Sequence, residues 1–177
     1  QAARQDAARA PEARLMKASP VKFLMGGNMS FRRNTLIRLH GFDMRFKGNA
    51  YREETDMCLR VAKKGKIIFE PKAIAYHNTA KQGGTRDIST MTHFLYWYFR
   101  NTTILFLRHF DFSDAMKKTY FQSKKFIASV ISGDLRINRD YLIKENANKH
   151  ITAIVKGAVS GFFKSKGRLK KLDYEKP

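Results

Sequence analysis

Glu53, Glu54 and Asp56 fall within four consecutive residues, and Arg60, Lys63 and Lys64 follow them. A carboxylate at a helix N-terminus is kept ionised by the helix dipole, which is the state a general base needs to take a proton from a hydroxyl. The same placement also serves a purely structural end. Acids in a first turn stabilise any helix, and Asp56 stands at i,i+4 from Arg60. Cys58, inside this segment, reads as a small core residue, and His77 taken by itself reads as a structural histidine. The chain contains no D-x-D and no glycine-rich phosphate loop of the P-loop or dinucleotide type.

The acids need a helix beneath them, and the local signals predict one. Glu53 to Lys64 has acids first, lysines last and Gly65 just beyond, in keeping with the dipole and C-cap rules. Upstream, Val21 to Met25 reads as a strand, Gly26-Gly27 breaks it, and Asn28 to Phe31 resumes extended structure. Asn34 is suited to cap a short helix from Thr35 to Leu39, with Gly41 as its C′ residue. Residues 41–51 read as loop. Lys66 to Glu70 is a strand candidate, Pro71 interrupts, and Ala73 to His77 is a short strand or extended edge. Gly83-Gly84 marks a loop.

From Ile88 the pattern is helical. Residues 91–110 are dense in aromatics, and Asp111 to Ser132 and Arg139 to Phe163 predict two further helices separated by Gly133-Asp134. The tail from Lys164 is basic. An α/β layer followed by an all-α extension is the expected architecture. Residues 1–20 form a lead-in, 21–87 the α/β part and 88–177 the helical part.

Charge narrows the partners. The 177 residues carry 35 Lys+Arg against 15 Asp+Glu, a net +20 that favours polyanions: nucleic acid, anionic lipid or diphosphate-bearing substrates. Residues 117–177 alone hold 15 Lys and Arg against 5 Asp and Glu. A hydrophobic share of 43% with 12% aromatics excludes disorder throughout, and a single cysteine excludes a disulfide scaffold and suits a reducing compartment. No run approaches the length of a transmembrane helix. The opening QAARQDAARA lacks an initiator Met and an apolar signal core, which predicts a piece of a longer protein. The aromatics of 91–110 read chiefly as core packing a helix onto the sheet. The basic helices after Lys117 are the stronger candidates for an anionic membrane surface.

Four ordered segments carry a family resemblance: Gly27-Asn28-Met29-Ser30-Phe31-Arg32-Arg33, Gly41-Phe42-Asp43, Glu53-Glu54-Thr55-Asp56-Met57-Cys58-Leu59-Arg60, and Pro71-Lys72-Ala73 followed by His77. In order and spacing they resemble the C-terminal half of the family 2 inverting glycosyltransferases of the GT-A fold. The Gly83-Gly84-Thr85-Arg86 loop and the segment from Tyr96 to Asn101 also look like features of that family. Two positions depart from its pattern: His40 stands in place of the first glycine of a G-G-F-D turn, and Glu54 stands where many members have Asp.

The resemblance implies the C-terminal portion of a Rossmann-like nucleotide-diphospho-sugar transferase fold, followed by an α-helical extension. It implies sugar transfer with inversion from a nucleotide-sugar donor to a glycan or lipid-linked acceptor, in a chain that lacks the nucleotide-binding half and is inactive alone. It implies Glu54 or Asp56 as the base with Glu53 as a positioning acid, and Asn28, Arg32, Arg33, Lys81 and Arg86 as substrate contacts. A divalent cation, Mg2+ or Mn2+, with His77 as a metal or diphosphate contact, would offset the charge of the departing diphosphate. The implied location is cytoplasmic and peripheral, at the inner face of the cell membrane. The competing classes are a basic nucleic-acid-binding module, for which no motif is recognisable, and a non-catalytic membrane-docking domain.

Overall fold

The computed structural model describes residues 17–24, 26–75, 90–135 and 145–165. They fall into two compact units. The first holds 17–42 and 54–75; the second holds 43–53, 90–135 and 145–165. The expected boundary near residue 87 is therefore joined by another, because the loop 43–53 groups with the helices that follow it much later in the chain.

In the first unit, β1 (Ser19–Val21) pairs antiparallel with β2 (Ile67–Phe69) in the register Ser19↔Phe69, Pro20↔Ile68, Val21↔Ile67. Alternation turns Val21 and Ile67 inward and Pro20 and Ile68 outward. The pairing starts two residues earlier than the apolar run Val21 to Met25 suggests, and it stops at Val21 because β2 offers only three partners.

Helix α1 (Arg33–Arg38) begins before the expected Thr35. Its N-cap is Arg32, whose carbonyl accepts from the Thr35 and Leu36 amides, and no side chain caps it. It ends in a left-handed turn through His40 and Gly41, with φ of 57° and 63°. There the Gly41 amide reaches back to the Leu36 carbonyl at 2.9 Å, satisfying one of the helix's last acceptors.

Helix α2 (Glu53–Ala62) starts at the expected residue. It closes two residues early, in a tightened turn where the Lys64 and Gly65 amides both donate to the Val61 carbonyl. Met57, Cys58 and Val61 from α2 and Ile67 from β2 are buried, packed round by Val21, Leu24, Phe31, Leu36, Leu39 and Phe42.

The second unit is built on α3 (Met91–His109), α4 (Phe112–Ile131) and α5 (Ala147–Ser165). The Thr90 hydroxyl caps α3 by accepting from the His93 amide at 3.2 Å. The aromatics of α3 do form core, but their partners lie within this unit. Phe126 of α4 packs on Tyr98 and Phe99 with ring centroids 5.3 and 5.1 Å away, and Ala153 and Ile154 of α5 complete the cluster. The closest approach is between α3 and α5. A Cβ on Gly157 would strike the Tyr96 carbonyl, and one on Gly161 would strike the Arg100 carbonyl. Glycine there lets the two backbones meet.

Candidate active site

The acids at the head of α2 differ in what surrounds them. Asp56 is fully buried. Its Oδ2 accepts from Arg60 Nε at 2.8 Å, and Arg60 Nη1 in turn donates to the Leu39 carbonyl at 2.7 Å. The i,i+4 pair expected from spacing thus exists, and it ties α2 to the end of α1. Glu53 opens the helix with its amide donating to the Ala50 carbonyl at 3.1 Å. Glu54, one residue on, is half-buried, and among the described residues its carboxylate has no hydrogen-bond or ion-pair partner. That carboxyl group lies against Gly26, where an added Cβ would come within 2.8 Å of its Cδ. A side chain at residue 26 would therefore displace Glu54.

Asn28, expected to contact substrate, donates from Nδ2 to the Ala73 carbonyl at 2.6 Å. This bond draws the first and fourth of the family-like segments together. Arg32 and Arg33 are both exposed at the start of α1. Arg32 shares a cleft of about 560 Å³ with Ser30, Phe31, Thr35, Lys64 and Lys66. Lys64 and Lys66 were not singled out from the sequence, because they read there as helix end and strand start. His77, Lys81 and Arg86 lie outside the described residues. Among the described residues, no three His, Cys, Asp or Glu side chains gather to hold a metal ion.

The loop that leads into α2 belongs to the second unit and is fastened there. Asp43 is buried and pairs with both Arg45, at 2.7 Å, and Arg108. Burial alone would raise its pKa, but the hydrogen bonds from Arg45 and the charges of Arg45 and Arg108 outweigh it and hold the carboxyl below its ordinary value. Arg45 Nη1 donates to the Ser165 carbonyl at 2.6 Å, at the end of α5. From α3, Arg100 Nη1 donates to the Arg45 carbonyl at 2.7 Å and Asn101 Nδ2 to the Lys47 carbonyl at 2.9 Å. Gly48, with φ of 67°, lies under the Trp97 indole, where any Cβ would collide.

Ala50 and Arg52, the last turn before α2, are also left-handed, with φ of 49° and 79°. Each such non-glycine residue costs on the order of 1 kcal/mol. Contacts within the unit hold the turn in place: Tyr51 stacks on Tyr98 at 4.7 Å, and the Arg52 guanidinium sits 4.9 Å over the Tyr51 ring. Burial pushes the Tyr98 phenol above its ordinary pKa, and the Gln122 amide donates to its oxygen at 2.7 Å.

No protein-family model, curated protein or solved structure matches this chain.

Proposed function

We propose that this chain is the acceptor-side part of an inverting glycosyltransferase and that Glu54 is its general base. In this reading Glu54 takes the proton of an acceptor hydroxyl while the hydroxyl oxygen forms its bond to the sugar C1. The bond from C1 to the nucleoside diphosphate breaks on the opposite face, and the diphosphate leaves with the electron pair. The observation that carries the reading is the contrast within the acidic group. Asp56 is buried against Arg60, while Glu54 keeps a half-buried carboxylate with no partner among the described residues.

Arg32, Lys64 and Lys66 around one cleft suit an anionic group of donor or acceptor. The cation that such a donor brings would shield the diphosphate. The described residues do not assemble a donor set for it. The nucleotide itself would be held by the other half of a longer enzyme.

The test is sugar transfer by that full-length enzyme. Glu54→Gln keeps the side-chain shape and removes the basicity, so donor binding should survive while transfer falls by on the order of 10²–10⁴. Glu54→Asp should retain much of the activity. A larger catalytic loss in a folded Asp56→Asn protein would move the base to Asp56, and wild-type transfer by Glu54→Gln would defeat the assignment.

A further inference from the structure

Helix α5 is apolar on two opposite faces. Ala153, Ile154, Gly157 and Gly161 face the bundle and are buried. Val155, Val159 and Phe163 recur at i, i+4, i+8 on the other side and are 49%, 51% and 64% exposed. A helix apolar all round is stable when both faces have partners. Helix α4 carries a second exposed apolar stripe, beside its buried face. Phe112, Met116 and Tyr120 recur at the same spacing, with Phe112 63% and Tyr120 61% exposed. Phe162 of α5 links the two stripes: its ring packs edge-on against Phe112 at 6.2 Å and against Phe163 at 5.4 Å.

Apart from Asp111 and Asp114 at the start of α4, the charges beside this surface are positive. Lys117 and Lys124 lie beside the α4 stripe, and Lys156 lies beside the α5 stripe. Helix α5 contains no Asp or Glu, and α4 has none after Asp114. We infer that the outer faces of α4 and α5 dock on an anionic lipid surface, with Val155, Val159, Phe163, Phe112 and Tyr120 entering the headgroup boundary and the lysines reaching lipid phosphates. Aliphatic and aromatic side chains ringed by lysine are the composition of an interfacial helix, whose lysine stems lie along apolar surface while the ammonium stays in the polar layer.

A second copy of the chain fits less well, since it would bring like charges together around the apolar contact. Among the described residues no helix is long and apolar enough to cross a membrane, so α4 and α5 would lie in the surface. The inference rests on helix faces alone and stands or falls separately from the role of Glu54.

Sedimentation of the full 177-residue chain with vesicles tests it. Phosphatidylcholine vesicles containing phosphatidylglycerol should bind the chain, pure phosphatidylcholine should not, and added salt should weaken the binding. Val155→Ser, Val159→Ser and Phe163→Ser together should weaken it about tenfold or more through lost apolar burial. Lys156→Gln should weaken it about fivefold. These positions are exposed, and Trp97 fluorescence checks that each variant is folded.

A single Val159→Trp variant gives a second readout, since lipids brominated on the acyl chains should quench the new indole. Equal binding to neutral vesicles, undiminished binding by the triple serine variant, or an unquenched Trp at residue 159 would each overturn the inference. So would a triple variant that converts a dimer to a monomer while vesicle binding stays absent throughout.

Discussion

In the first unit the buried acid Asp56 takes its partner from one turn along its own helix. In the second, Asp43 draws Arg45 from its loop and Arg108 from the far end of α3, and Arg45 goes on to hold the last carbonyl of α5. The first arrangement steadies one short helix. The second fixes a loop of eleven residues, 43–53, onto a bundle of helices about twenty residues long. The difference teaches where polar groups are consumed by structure and where they are left over. In the loop and bundle, Asp43, Arg45, Arg100, Asn101 and Arg108 are tied to one another or to backbone carbonyls. On the small apolar cluster of the first unit, Glu54 and the cations Arg32, Lys64 and Lys66 stand at a surface. A site for chemistry requires such uncommitted groups, and a scaffold requires the reverse.

Deleting each buried acid measures that contrast most directly. Asp43→Ala leaves two arginines without their carboxylate, and breaking a buried pair costs about 3–5 kcal/mol. Asp56→Ala leaves one, which keeps its bond to the Leu39 carbonyl, so its cost should sit at the low end, about 3 kcal/mol. The chain's single tryptophan, Trp97, lies in the second unit, so urea unfolding followed by its fluorescence reports that unit, while far-ultraviolet circular dichroism reports both. Because the folded pKa of Asp43 is depressed, its contribution is complete above the unfolded value near 3.8 and is lost as pH falls through the lower folded value. A Trp97 transition that shifts no further in Asp43→Ala than in Asp56→Ala would erase the distinction between network and pair.

Glycine substitutions sharpen the same comparison at a smaller scale. In an open helix Gly→Ala gains about 1 kcal/mol. At Gly161 the new methyl would meet the Arg100 carbonyl and the Thr103 Cβ, the latter at 2.8 Å, so Gly161→Ala should cost about 1–3 kcal/mol net. Gly65, in the first unit, has open space around it, and Gly65→Ala should stay within about 0.5 kcal/mol of wild type. Thermal unfolding of both variants decides the matter, and a Gly161→Ala protein as stable as the parent would mean that the backbones of α3 and α5 can part without cost.

The parts of this architecture that were legible in the sequence are those governed by near neighbours. The start of α2 at Glu53, the Asp56–Arg60 pair and the burial of Cys58 all follow from spacings of a few residues. The second strand was legible in position, while the first shares only Val21 with the apolar run that announced it, since its extent depends on a partner 46 residues away, Ile67 for Val21. The loop 43–53 was illegible as part of the helical unit, because its fastenings span more than 50 residues in sequence. A signal was present in Arg100 and Asn101, two large polar residues in the middle of an aromatic helix, both of them buried. Buried polar groups need partners, and backbone carbonyls of a loop are suitable ones. For the site, the acidic group was legible as a group. Which acid is committed to packing, and that Asn28 is bonded to Ala73, depended on tertiary contacts that no spacing encodes.

The smallest expected effect is a pH dependence that belongs to the helical unit. His150 of α5 is buried, and its Nε2 accepts from the Glu145 amide at 3.3 Å, which only the neutral ring can do. Burial pushes the pKa of this imidazole below 6.5, and the negative charge of Glu145 opposes that shift without cancelling it; Lys149 pairs with Glu145 at 3.2 Å and partly neutralises it. The unfolded chain therefore takes up a proton near pH 6.5 that the folded chain still refuses. The stability associated with His150 is complete above that pH and is lost as pH falls through the lower folded value. The midpoint of the Trp97-detected transition should accordingly decline between about pH 7.5 and 5.5, and His150→Gln, which cannot titrate, should decline less over the same interval. If the variant and the parent fall in parallel, the proton is being taken up elsewhere, and the buried imidazole contributes nothing to the pH response of the scaffold.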